Sequence, residues 1–349
     1  MAVFAPRKAQ RKFIEGTIAH LERQGVKVHW FTGPEFIGDY KAALSSRRVY
    51  PYHLCAHIPY RAILTPATHI PTNKYKHPQA QVIHVPHSMV SLHTIFTSAT
   101  FIGFDHVFCC GPHHVKEIEA IFRQNGRAGR IARTGYEVID RLAQLAPKEK
   151  NAGIRPCVLI APTWGESSLL YRFGRELVDR LIKHYDVILR PHPWRIEQLS
   201  DLLSALKSDY ASNPRFRYDD AVDSKGSMDT ADLMISDYSG AAFEFALAYL
   251  RPVIFIDGPR KNAHLQFREI LDEEGVEVRC RNVIGVVVQD LNELENAIPV
   301  SLDARGFWSD KLRKARSELL FNFGHCAEHA TAEIIKVLDV GAVSEQRTT

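Results

Sequence analysis

Four short stretches of this chain pair an apolar run with polar or conformationally special residues directly after it. Val82-Ile83-His84-Val85 leads into Pro86-His87-Ser88, and Val158-Leu159-Ile160 leads into Ala161-Pro162-Thr163-Trp164-Gly165. Val187-Ile188-Leu189 leads into Arg190-Pro191-His192-Pro193, and Leu233-Met234-Ile235 into Ser236-Asp237-Tyr238-Ser239-Gly240. In the last of these, Ser236, Asp237 and Ser239 are helix-capping residue types. Gly240 allows close backbone approach, and the unpaired amides of a helix start attract phosphate oxygens. The stretch is a candidate diphosphate cradle, a simply capped helix being the other reading. Arg190 and His192, stiffened by two prolines, suit the charge that develops on a leaving phosphate. A solvated arginine at a strand end is their bland counterpart. His87, a residue type with an ordinary pKa of about 6.5, is a natural general base. A structural histidine is the alternative, since residues 1–150 hold twelve of the 17 histidines.

These residues can act only if strands deliver them, and the hydrophobic pattern supplies strands. The spacing of Phe13, Ile14, Ile18 and Leu21 predicts a helix over Arg7–Gln24, ended by Gly25 and followed by a strand over Val26–Phe31. Short apolar runs at Ile63–Leu64, Gln81–Val85 and His106–Cys110 alternate with helical stretches such as Val115–Gln124. The alternation resumes with strands at Cys157–Ala161, Asp186–Arg190, Arg215–Tyr218, Leu233–Ser236, Pro252–Ile256 and Val283–Val288. Between and after them come helices at Leu169–His184, Ile196–Lys207, Ser239–Tyr249 and His329–Leu338. Repeated strand–helix units mean parallel α/β sheets. Residues 142–156 break the rhythm with Pro, Lys and Gly. The expected architecture is two doubly wound α/β domains facing a central cleft, over residues 1–147 and 157–349 with a linker at 148–156. The last helix is free to pack back on the first domain.

A length of 349 residues agrees with two domains, and the ordinary composition excludes disordered, collagen-like and coiled-coil chains. The net charge of +4 conceals an asymmetry. Residues 1–150 carry 20 Lys and Arg against 10 Asp and Glu, and the remainder carries 24 against 30. Six cysteines without a CxxC pair point to a reduced, cytoplasmic protein. The N-terminus does not read as a signal peptide, and no run of 18 apolar residues would span a membrane.

With the four stretches in register, the chain resembles the CDP-glycerol glycerophosphotransferase family, the teichoic-acid primases and polymerases of GT-B fold. The family's TDYSSxxFD-type signature, ending in a Pro-Val-Ile-Phe strand, reads here as SDYSGAAFEFALAYLRPVIFI over Ser236–Ile256. The Arg-Pro-His-Pro turn is intact at Arg190–Pro193. The Ala-Pro-Thr-Trp-Arg segment keeps Ala161–Trp164 but ends in Gly165. A GxPRxD segment is matched loosely by Gly135–Asp140, and the family's Trp-His-Gly is replaced by Pro86-His87-Ser88. The resemblance is specific over about Cys157–Ile256 and thin in the first 80 residues.

That resemblance implies transfer of a polyol phosphate from CDP-glycerol or CDP-ribitol to a hydroxyl of a glycan or lipid-linked acceptor, with CMP released, in teichoic-acid or capsule synthesis. By it, residues 157–349 are the donor-nucleotide domain and residues 1–147 the acceptor side. His87 becomes the base, and His192 binds the diphosphate and stabilises departing CMP. Ser236, Ser239 and the amides of Gly240–Ala241 hold phosphate oxygens, with Asp237 and Arg190 in the same substrate-binding set. Glu244 falls to the ribose, and Thr163 and Trp164 lie near the nucleotide. No cofactor is implied. No Asp-x-Asp stands at a strand end, Asp219-Asp220 falls in a loop, and His113-His114 reads as a capped turn rather than a ligand pair, so metal independence is expected. The alternatives are a GT-B sugar transferase or UDP-sugar epimerase, and a non-catalytic nucleotide-binding or scaffold protein. Nucleic acid is not an expected partner, because the basic residues are scattered without a reader motif. Arg7, Lys8, Arg11 and Lys12 on one helix face offer contact with an anionic membrane surface, a solvated face being the other reading. The expected location is the cytoplasm, with peripheral attachment at the inner face of the cell membrane as its extension.

Overall fold

Continuous apolar strands, too short and too uniformly greasy to alternate, are what a sheet covered on both faces requires. In the computed structural model they form two all-parallel sheets, described over residues 1–44, 48–68, 74, 76–147, 155–194, 196–260, 264 and 266–345. The expected linker falls largely on residues 148–154, outside that range.

The chain divides into two units, one comprising Met1–Asp140, Ala263–Glu273 and Glu318–Thr349, the other Arg141–Asn262 and Glu274–Ser317. The first contains β1 (Ala2–Phe4), β2 (His29–Thr32), β3 (Val49–Pro51), β4 (Ala62–Thr65), β5 (Gln81–His84), β6 (His106–Cys109) and β7 (Arg130–Arg133). Their order is β3-β2-β1-β4-β5-β6-β7. The second contains β8 (Cys157–Ile160), β9 (Asp186–Leu189), β10 (Phe216–Tyr218), β11 (Leu233–Ser236), β12 (Val253–Ile256) and β13 (Gly285–Val288), ordered β10-β9-β8-β11-β12-β13. Each sheet starts in its middle, runs outward one way, then returns to the middle and runs the other way. This is the doubly wound arrangement, and it creates one switch point per sheet.

Several elements differ from their sequence reading for identifiable reasons. β1 is central, pairing Val3 with Trp30 on one side and Leu64 on the other, yet its three residues are too few to show a period. The helix expected over Arg7–Gln24 is a 3₁₀ turn at Lys8–Phe13 followed by a helix at Glu15–Arg23. No local side chain caps that helix; the Glu137 carboxylate does so from far along the chain, accepting from the Gly16 and Thr17 amides at 3.0 and 2.9 Å. Lys8 and Arg11, half of the expected basic face, pair with Asp39 at 3.0 Å and Glu15 at 2.9 Å. β13 starts at Gly285 because Arg281–Ile284 forms a helical turn first. The last helix runs Cys326–Glu345, and Ala330, Ile334 and Val337 pack with Ile14, Ile18 and Leu21 in the first unit. Among the described residues no helix is long and apolar enough to cross a membrane.

In the second unit Val158, Ile160, Leu189, Leu233, Ile235 and Ile254 form the core with Leu177, Val178 and Leu181 of the helix Leu169–Leu181. Burying each such side chain contributes about 1.5–3 kcal/mol, which makes the strand ends rigid supports for the loops that leave them.

Candidate functional site

The switch point of the second sheet lies between β8 and β11, and ligands in such sheets bind beyond the carboxyl ends of the strands there. The segments leaving β8, β9 and β11 are the Thr163-Trp164 loop, the Arg190–Pro193 turn and the Ser236–Gly240 stretch, so the fold brings three of the four sequence-marked stretches to one sheet end.

Asp237 welds two of them. Buried to 1% exposure, its carboxylate accepts from the amides of Thr163 at 2.7 Å, Leu169 at 2.9 Å and Tyr238 at 2.6 Å. It thereby shapes the loop after β8 and caps the following helix alongside Ser168. Ser236 is also buried, its hydroxyl donating to the Ala161 carbonyl at 2.7 Å. Both residues are spent inside the protein, so they build the cradle rather than face a substrate from it. Gly165 has φ of 77°, a left-handed conformation that favours glycine. An arginine, the family's residue at this position, would be strained there.

A small pocket remains, lined by Thr163, Trp164, Gly165, Pro191, His192 and Trp194 among others. The Thr163 hydroxyl is enclosed there without a hydrogen-bond partner among the described residues. Trp164 and Trp194 meet edge to face with ring centroids 4.1 Å apart. Trp194 is half exposed and was not among the residues marked in the sequence, although it directly follows the Arg-Pro-His-Pro turn. The His192 Nδ1 accepts the Trp194 amide at 3.1 Å. A ring that accepts on Nδ1 carries its proton on Nε2.

Arg190 is employed elsewhere. Its guanidinium donates to Asp219 at 2.7 Å and to the Ala221 carbonyl at 2.7 Å, tying β9 to the segment after β10. Burial would raise the Asp219 pKa, but hydrogen bonds from Ser227, the Ala221 amide and Arg190 outweigh it and hold the carboxyl below its usual range. At the helix start Gly240 has no side chain to cap with, and the Ala241 amide donates to Ser239 Oγ at 3.4 Å. Gly240 and Ala241 are half-buried, and Glu244 is buried one turn further on. Of the substrate-binding set expected from the sequence, Ser236, Asp237 and Arg190 are thus engaged within this unit.

The fourth stretch belongs to the first unit. His87 follows β5 and is half-buried, with Phe13, Phe96 and His84 around its ring at centroid distances of 6.1, 6.2 and 6.2 Å. Its Nδ1 is enclosed and has no hydrogen-bond partner among the described residues. Burial lowers its pKa to about 4, so the ring is neutral and able to accept a proton at pH 7. The Gly135–Asp140 segment braces this region. Tyr136 donates to the His87 carbonyl at 3.1 Å, and Asp140 accepts from the Cys326 amide at 2.9 Å at the start of the last helix.

His113 and His114 sit in the first turn of the helix Pro112–Gln124, both buried and near Cys110, a ligand-type trio close enough to hold an ion. Their hydrogen bonds, however, employ the ring nitrogens otherwise. His113 Nε2–H donates to the Met89 carbonyl at 2.8 Å and His114 Nε2–H to the Val90 carbonyl at 3.0 Å. Cys110 Sγ lies 3.1 Å from His114 Nδ1 but faces His113 through the occupied Nε2, at 3.8 Å. With Nε2 protonated, both rings keep the Nδ1 lone pair, and it is His114 Nδ1 that lies toward the sulfur.

The two sheets define a GT-B protein. The TM-score is 0.61 against a wall teichoic acid polymerase, TagF, with 14% identity and 98% and 90% of the two chains covered. A UDP-GlcNAc 2-epimerase from Methanocaldococcus jannaschii gives 0.61 at 13% identity, covering 97% and 99%. MurG from Acinetobacter baumannii gives 0.51 at 11%, covering 96% and 99%. Likeness at such identities establishes the fold and does not choose between these chemistries. Residues 104–260 match the family model for CDP-Glycerol:Poly(glycerophosphate) glycerophosphotransferase, so the resemblance read from the sequence is borne out over that segment. The match sets the chain among transferase enzymes and includes the Thr163, His192 and Gly240 stretches. A comparison with curated protein sequences gives no match.

Proposed function

We propose that this protein transfers glycerol phosphate from CDP-glycerol to an acceptor hydroxyl in the synthesis of a teichoic-acid-type polymer. The supporting observation is that the matched family segment contains three strand ends which the second sheet gathers at its switch point. In the proposed reaction the acceptor oxygen attacks the phosphorus next to glycerol, and its proton passes to His87. The bond from that phosphorus to the CMP oxygen breaks, and the electron pair leaves with CMP. His192 Nε2–H and the amides at Gly240–Ala241 receive the diphosphate charge, while Thr163 and Trp164 adjoin the nucleotide. Positioning and charge stabilisation of this kind are most of what phosphoryl transfer requires.

CDP-ribitol is the related donor, and glycan or lipid-linked polymers, capsule included, are the acceptors to be tried. We assign no metal to the step. Asp219, the first of the adjacent acidic pair, is already engaged by Arg190 and Ser227. Cytoplasmic action at the inner membrane surface fits a lipid-linked acceptor, with Arg7 and Lys12 as the basic side chains left after Lys8 and Arg11 are paired.

The test is CMP formation by the purified protein from CDP-glycerol and CDP-ribitol, with and without a lipid-linked acceptor. Acceptor-dependent CMP supports the proposal. Turnover of a UDP-sugar, with no CMP from either CDP-polyol, overturns it in favour of a sugar transferase or epimerase.

A further inference from the structure

His87 poses a problem of orientation. A histidine acting as a base is usually aimed by a partner on its second ring nitrogen, but the enclosed Nδ1 of His87 has none among the described residues. Its direction must come from packing and from the backbone that carries it. That backbone leaves β5 after His84 and enters no helix or strand over residues 85–94; after Val85, whose N–H still donates to the Thr65 carbonyl of β4 at 2.9 Å, no ladder supplies its hydrogen bonds.

Side chains of the helix Pro112–Gln124 supply them. His113 and His114 hold the Met89 and Val90 carbonyls at 2.8 and 3.0 Å. Glu117, one turn on, accepts the Leu92 amide at 2.6 Å and lies 3.3 Å from His93 Nδ1. His93 Nε2–H in turn donates to the Glu273 carbonyl at 3.0 Å. All four side chains are buried. Cys110 sets the direction of one of these bonds. Its thiol is 3.1 Å from His114 Nδ1, and burial keeps that thiol protonated. S–H therefore donates to Nδ1, which fixes the His114 proton on Nε2, toward Val90.

We propose that His113, His114 and Glu117 are positioning residues that grip residues 89–92 and thereby aim His87, with Cys110 selecting the tautomer of His114. The reaction-related part of this rests on His87 being the base; the grip itself does not. Bonds at three backbone groups within four residues leave the loop few ways to pivot. Above it, Tyr136 holds the carbonyl of His87 itself. His84, its ring centroid 6.2 Å from that of His87, and His114 both have pKa values lowered by burial and are neutral at pH 7.

The test compares wild type, His114→Leu, which removes both of its bonds, and His114→Gln, whose amide can still donate to Val90. Hydrogen exchange of residues 88–93 and an NMR titration of His87 are read alongside CMP release. In His114→Leu, exchange in that loop rises about tenfold or more and the His87 pKa moves from about 4 toward the ordinary value near 6.5. The kcat falls about 10–100-fold, as expected for a misplaced group, while the KM for CDP-glycerol stays within about twofold. His114→Gln recovers most of each. Should His114→Leu fail to fold, Cys110→Ala against Cys110→Ser repeats the comparison, because only serine keeps the donor to Nδ1.

Unchanged exchange and an unchanged His87 pKa in a folded His114→Leu protein overturn the grip. So does a stoichiometric metal ion in wild type that His114→Leu loses, which would make the trio a metal site. Loosening of the loop with no CMP from wild-type protein leaves the grip standing and removes the assignment of His87 as base.

Discussion

The two units hold their chemistry in contrasting ways. In the second, Thr163, His192 and Gly240 stand at the ends of adjacent parallel strands, and the sheet itself sets their spacing. In the first, His87 sits on a segment with no ladder, held by Tyr136 above and by His113, His114 and Glu117 beyond. A donor with a fixed diphosphate geometry can be met by a rigid edge. In the proposed reaction a base needs one atom placed within a fraction of an ångström, and distant side chains hold the loop that carries His87. The contrast also appears in protonation. His192 accepts the Trp194 amide on Nδ1, whereas burial lowers the His87 pKa to about 4 and keeps that ring neutral at pH 7.

The largest expected effect tests the base. His87→Gln should lower kcat by about 10³-fold, within the range for loss of a general base, measured as CMP release. A drop of less than tenfold would move the base elsewhere. His192→Ala should cost about 10²-fold in kcat/KM through the lost donor to the diphosphate. A His192→Gln variant, which retains an amide donor, should be the milder of the two.

Asp237→Ala separates support from contact. Removing a buried carboxylate that accepts from three amides should cost roughly 2–4 kcal/mol of stability, read by urea melting, and should weaken donor binding through the displaced Thr163 loop. Donor binding lost at full stability would instead mean that Asp237 touches the substrate.

The pH dependence sharpens the contrast further. Because burial lowers the His87 pKa to about 4, it stays unprotonated as the pH falls through 6.5. The acid limb of kcat/KM should therefore lie nearer 4 than 6.5. For stability, His84, His87 and His114 all have lowered pKa values in the folded chain, so the unfolded chain binds more protons below about 6.5. Stability should rise with pH through that window and fall on acidification, as urea melts at pH 5 and pH 7 would show. The smallest effect expected is that of EDTA, which should leave the rate of CMP release unchanged.

Legibility in the sequence divides along the same line. The turns after β8, β9 and β11 were legible because each is an apolar run joined immediately to Pro, Gly, Ser or Asp, a local pattern. The employment of those residues was not. Asp237 and Ser236 look like exposed caps, but their partners Thr163, Leu169 and Ala161 lie 68 to 75 positions earlier in the chain. Arg190 looks free until β10 brings Asp219 beside β9. Likewise, the caps that Glu137 and Asp140 give to distant helices leave no mark in the segments they cap. β1 was missed because three residues have no period. Trp194 was the one omission that a local signal could have prevented, since its ring directly follows the Arg-Pro-His-Pro turn.

The division of labour between the units is tested most directly by titrating CDP-glycerol into wild-type, His87→Gln and His192→Ala proteins while following CMP release in parallel. His87→Gln should bind the donor within about twofold of wild type with turnover all but abolished, and His192→Ala should bind it at least about tenfold more weakly. Donor binding lost in His87→Gln and retained in His192→Ala would contradict the account.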